Sequence, residues 1–232
     1  MISKSATRKS FVAAAALSSV IGLSACSSNE TATAQAADTS SSSSQVSVPQ
    51  PAAVVRAIPG GTTAVALDTG FTDALTQLGL TPGTLGAATL DGTTGTVTFP
   101  ITGGTVTLYD RETGYRPWVQ GVLFHEGSGL SLTAGGTTVE LTDFTISPGK
   151  PARLFGNVSV NGQLAAASAP LFNLDGSTLT PPTMDADGSA VLDGTTVKLS
   201  EEAAALLNQT FDTDALAGGF LIGTSTITVE TS

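Results

Sequence analysis

From about residue 56 to the end, short runs rich in Val, Leu, Ile, Thr and Phe are broken again and again by Gly, Asp or Asn. That punctuation confines the chain to short strands joined by tight turns. Thr96-Val97-Thr98-Phe99 and Thr105-Val106-Thr107-Leu108 flank a segment ending in Gly103-Gly104, whose freedom at positive φ suits the turn of a hairpin. Further strands are expected at about 118–124, 129–133, 137–146, 153–160, 163–172, 190–199 and 219–230. Gly-Thr openings recur at Gly136-Thr137, Gly194-Thr195 and Gly223-Thr224, but at irregular spacing. A solenoid or propeller would need a fixed period, so the recurrence reflects shared turn chemistry. The pattern predicts an all-β domain, an antiparallel β-sandwich or barrel with two short helices. Phe71, Leu75 and Leu78 share one face of the first helix, with Gly79 at its C-terminal cap. Ser200 caps the second, Glu201 and Glu202 sit at its positive end, and Ala203, Leu206 and Leu207 face inward.

The chain ahead of this domain has a different composition. Residues 1–25 have a basic start at Lys4, Arg8 and Lys9, an apolar run over 11–23 and small residues before a cut between Ala25 and Cys26. These are the parts of an export signal, and the apolar run is too short to span a bilayer as a helix. Leu23-Ser24-Ala25-Cys26 resembles the lipobox of bacterial lipoproteins, which implies that the Cys26 thiol is acylated and becomes the mature N-terminus. Two acyl chains on one residue supply the pair of signals that lasting membrane attachment requires. Residues 26–55 are an acylated start followed by Ser, Thr, Ala, Gln and Pro. Such a stretch has too little apolar surface to offset chain entropy and is expected to be a disordered linker. The expected divisions are thus 1–25, 26–55 and an extracytoplasmic domain at 56–232.

Cys26 is the one cysteine, so the domain has no internal disulfide and must be held by core packing. Loss of the three basic residues of the signal takes the net charge from −10 to about −13. Such a surface repels nucleic acid and anionic headgroups, and nucleic acid is excluded as a partner.

Known catalytic patterns are missing. The chain lacks G-x-S-x-G, a P-loop, G-x-G-x-x-G and H-E-x-x-H, and it has a single histidine, His125. A hydrolytic triad or a zinc site would need more than that, so no catalytic residue and no metal ligand is assigned, and the chain is read as a non-enzyme. Asp185-Ala186-Asp187-Gly188 has the start of a calcium loop without its closing glutamate; the other reading is a simple Asp-Gly turn. The most informative stretch runs from Tyr109 through Tyr115 to Trp118, with His125 seven residues on. It contains both tyrosines and the sole tryptophan. Polar aromatics between strands can form a ligand-contact patch, since each has an apolar body and a hydrogen-bonding tip. They can equally cap the edge of the core, with His125 a satisfied strand residue.

The domain resembles the Htaa-type haem-uptake domains of actinobacterial surfaces over most of residues 62–230. The likeness is carried by the opening helix with Phe71, by Phe124, His125, Gly127, Leu130 and Leu132, by a late helix at 201–208 and by a closing strand at 223–229. The resemblance implies haem as ligand, with a tyrosine after the first helical phenylalanine ligating iron and the histidine supporting it. Here the corresponding position is Ala74, which leaves Tyr109 or Tyr115 as substitutes. The expectation is a membrane-anchored binding or interaction module of the cell envelope, with haem as the leading ligand and an envelope protein as another possible partner. The alternative is a structural or adhesive envelope protein without a small-molecule ligand.

Overall fold

The computed structural model describes residues 48–231. The export segment, Cys26 and most of the spacer lie outside the described residues. Thirteen strands form one antiparallel sheet: β1 (Ala53–Val55), β2 (Gly61–Leu67), β3 (Thr81–Gly86), β4 (Thr89–Asp91), β5 (Thr96–Pro100), β6 (Gly103–Leu108), β7 (Val119–Ala134), β8 (Thr137–Ser147), β9 (Arg153–Val160), β10 (Gln163–Asp175), β11 (Thr183–Met184), β12 (Ala190–Leu199) and β13 (Leu221–Val229). Helix α1 (Thr69–Gln77) follows β2 and helix α2 (Glu201–Phe211) follows β12. The strand order is β1-β6-β7-β8-β9-β10-β12-β13-β2-β5-β4, with β11 beside β12 and β3 beside β7. The expected fold class is therefore the observed one, a curled antiparallel sheet with two helices.

The sheet curls until strands distant in its order meet. Thr63 on β2 reaches His125 on β7, and Phe99 on β5 packs edge-on against Phe144 on β8 with ring centroids 5.3 Å apart. The expected hairpin over 96–108 is not formed, because β5 and β6 do not pair with each other. β5 pairs with β2 and β4, whereas β6 pairs with β7 and β1. The segment turns a corner at Ile101-Thr102 and passes from one part of the sheet to another: Ile101 N–H donates to Gly61 and Thr102 N–H to Phe124. Gly103-Gly104 permits a close approach there instead of a reversal. Gly104 has φ 139°, and a Cβ on it would overlap the Val122 carbonyl.

β7 joins two segments that sequence alone separates. Leu123 and His125 face inward at odd positions, Leu130 and Leu132 at even ones, so one continuous strand needs a bulge between them that resets the alternation. The register shifts between His125 and Gly129, and a matching shift in β8 lies between Thr142 and Thr145. Asp143, at φ 54°, ties the two bulges together: it accepts from Gly127 N–H at 3.0 Å and from the Asn157 amide at 3.2 Å. Those hydrogen bonds, Gly127 first, hold its carboxyl below the usual range.

The core needs no disulfide. Val139, Val158, Leu171 and Phe144 are almost wholly buried, each side chain stabilising by about 1.5–3 kcal/mol relative to exposure. α1 is capped by Asp68 and buries Leu75, and Phe71 packs on Phe220. Ser200 caps α2, accepting from Ala203 N–H at 2.9 Å while its hydroxyl donates to the Pro170 carbonyl. One boundary differs from the compositional reading. Val54 and Val55 fall in the expected linker yet lie in β1, paired with Thr107 and Val106 of β6, because two β-branched apolar residues dock readily on an open strand edge.

Candidate ligand-binding site

Antiparallel alternation brings three connections to one end of the curled sheet: residues 109–118 between β6 and β7, 148–152 between β8 and β9, and 176–189 between β10 and β12. Behind them lies a cavity of about 420 Å³. Its walls are inward-facing side chains such as Val65, Val97, Phe99, Phe144, Phe172 and Ile227. On the side of these connections the lining includes the exposed Arg116 and Lys150 and the half-buried Arg111, Pro117 and Trp118, which form its rim. The fold thus encloses an apolar chamber with a basic rim.

His125 is part of the chamber wall and only 1% exposed. Its Nδ1 lies 3.3 Å from the Phe144 carbonyl and its Nε2 2.8 Å from Thr63 Oγ1. A carbonyl only accepts, so Nδ1 carries the proton, and the neutral ring's Nε2 accepts from the Thr63 hydroxyl. Burial pushes its pKa down to about 4, against the opposing pull of the Phe144 carbonyl. Both ring nitrogens are therefore committed, and the imidazole is uncharged at neutral pH.

The aromatic patch divides. Trp118 lines the opening, with the Arg111 guanidinium 4.6 Å above its ring, and Arg111 also donates to the Leu179 carbonyl at 3.0 Å. Arg111 is thus held in a cation–π stack at the rim. Tyr109 and Tyr115 instead pack against each other at a tilt, ring centroids 4.6 Å apart, and are not among the cavity-lining residues. The 3₁₀ turn Arg111–Thr113, capped by Asp110, carries the chain between them, and Arg116 braces it by donating to the carbonyls of Arg111 and Tyr115. Of the four residues singled out from sequence, His125 and Trp118 share one chamber, and the two tyrosines do not join them. Ala74 lies on α1 and does not line the chamber.

Lys150 is the rim residue that sequence reasoning missed. Its signal was faint: a lone cation in the Pro-Gly-Lys-Pro connection between two strands. Elsewhere, Asp185 accepts from the backbone of Asp187 and Ser189 at 3.0 and 2.8 Å, so Asp185-Ala186-Asp187-Gly188 is an Asp-capped turn. Among the described residues no group of three or more His, Cys, Asp or Glu could hold a metal ion.

Compared with known proteins, the chain matches no family model and no curated protein. Among solved structures, the C-terminal domain of HtaA from Corynebacterium glutamicum matches at TM-score 0.52 and 15% identity, covering 75% of this chain and 98% of that one. The heme binding protein HtaB from Corynebacterium glutamicum matches at TM-score 0.46 and 10% identity, covering 78% of this chain and 96% of that one. At such identities the likeness is one of architecture: residues of this chain fold as the C-terminal domain of HtaA does.

Proposed function

We propose that the domain is a non-enzymatic binding module of the cell envelope, tethered to the membrane through acylated Cys26, that captures an apolar, acid-bearing ligand in its chamber. Haem is the specific ligand that the Htaa-type resemblance implies. The observation that carries the reading is the apolar chamber of about 420 Å³ lined also by Arg111, Arg116 and Lys150. Apolar walls suit a macrocycle, and the basic rim suits propionates. The fit is incomplete at the metal. His125 has both nitrogens in hydrogen bonds, Tyr109 and Tyr115 pack against each other and are not among the lining residues, and the corresponding helical position is Ala74. The residues present suit the porphyrin and its acids but offer its iron no ligand.

The test is a titration of the purified protein with hemin, read at the Soret band. The expected result is saturable binding that weakens when the rim cations are replaced. Absence of hemin binding would remove haem as the ligand, and absence of binding by any apolar acid would favour the second reading, a structural or adhesive envelope protein, for which the self-paired tyrosines and the fully bonded His125 are the supporting observations.

A further inference from the structure

The distribution of positive charge narrows what the chamber reads. Lys4, Arg8, Lys9, Glu30 and Asp38 lie outside the described residues; within 48–231, six basic side chains stand against seventeen acidic ones. Two of the six are neutralised in ion pairs, Arg153 with Glu202 at 3.1 Å and Lys198 with Asp175 at 3.0 Å. Three of the other four, Arg111, Arg116 and Lys150, gather at the opening of one apolar chamber, and none of them is in an ion pair among the described residues. On a surface of opposite overall sign, such a rim focuses field at one point and draws an anion there. Inside the chamber, the one side chain with metal-binding chemistry, His125, is held by Thr63 and Phe144. The site therefore has a grip for an acid and for an apolar body, and none for a metal.

We infer that the chamber binds apolar carboxylic acids irrespective of any metal, with the body inside and the carboxylate at Arg116 and Lys150. Arg111, stacked on Trp118, forms the rigid side of the rim. The inference rests on the proposed assignment of the chamber as the binding site, and it deepens it by naming the ligand class. A tetrapyrrole acid and a long-chain acyl acid share this chemistry, and the arms of the test separate them.

The full-length protein, kept unlipidated by Cys26→Ser, is titrated calorimetrically with hemin, with metal-free protoporphyrin IX and with palmitate, and each acid is compared with its methyl ester. At least one metal-free acid should bind within about fivefold of hemin, and its ester more weakly by about tenfold or more. The double variant Arg116→Glu with Lys150→Glu should lose about tenfold for the acid and little for the ester. Both rim side chains are exposed; because Arg116 also braces the 111–115 turn, the single variant Lys150→Glu is read beside the double one, and it should keep the parent's unfolding midpoint while weakening acid binding. Tight protoporphyrin binding identifies a macrocyclic ligand and tight palmitate binding an acyl one. Hemin binding more than about fivefold tighter than both metal-free acids would overturn the inference while leaving haem capture standing. Equal binding of acid and ester, or indifference to charge reversal, would also overturn it. Failure of all three ligands to bind would bring down the proposed function as well.

Discussion

Acidification from pH 7 to pH 4 should destabilise the domain through one residue. His125 is the only histidine, is 1% exposed, and has its pKa depressed from 6.5 to about 4, first by burial. In the unfolded chain it titrates near its ordinary value, so below about pH 6.5 the unfolded state takes up a proton that the folded state refuses. The stability due to the neutral ring is complete above that pH and is lost as pH falls toward 4. The loss is about 2 kcal/mol at pH 5 and about 3 kcal/mol at pH 4. Folded-state carboxylates act later. Asp175, held at about 2 by hydrogen bonds from Ser177 and then Lys198, gives up its contribution only below the ordinary carboxylate range. Urea unfolding followed by fluorescence of Trp118 at intervals between pH 7.5 and 4 isolates the effect. His125→Gln can hydrogen-bond Thr63 or Phe144 without titrating near pH 6, so its profile should be flat from pH 7.5 to about 5, above the carboxylate range. A parent profile as flat as the variant's would refute the assignment of a buried neutral imidazole.

Three further perturbations follow from the fold. Ser200→Ala removes both the cap of α2 and the hydrogen bond to Pro170 and should cost about 1–2 kcal/mol in chemical denaturation; an unchanged midpoint would mean that α2 does not depend on its cap. Gly104→Ala forces a Cβ against the Val122 carbonyl at φ 139°, and a loss of at least about 3 kcal/mol, or failure to fold, is expected by circular dichroism. Cys26→Ser should move the protein from the detergent phase to the aqueous phase on Triton X-114 partition of expressing cells, and retention in detergent would remove the lipid tether from the proposal.

The sequence was most legible where local chemistry decides structure. Ser200 reads as a cap and is one, and the apolar positions of both helices pack against the core as their spacing requires. Long-range pairing was less legible. Thr96-Val97-Thr98-Phe99 and Thr105-Val106-Thr107-Leu108 look like hairpin arms because Gly-Gly sits between them, yet nothing local distinguishes a reversal from a corner where the chain changes neighbours. The break between Phe124 and Gly129 was misread for a similar reason, since a bulge and a strand end share a glycine signature. Of the residues singled out by type, His125 and Trp118 line the chamber. The chamber itself was not foreseeable, because its walls are ordinary alternating Val, Leu and Ile that become a cavity wall only once the sheet curls. The tyrosines drew attention by rarity, but which way a loop aromatic points depends on tertiary partners, here each other.

The path of the sheet runs out at either end in a strand of three residues, β1 and β4. A domain crowded on a two-dimensional surface, as a tether at Cys26 would crowd it, meets its neighbours often and in similar orientations. A long open margin would then template chain-to-chain growth. β1 and β4 give a neighbour only three residues to pair with, and the six-residue edge strand β3 beside β7 is blunted by Pro82, which has no N–H to donate, so no margin offers a long continuous template for fibrils.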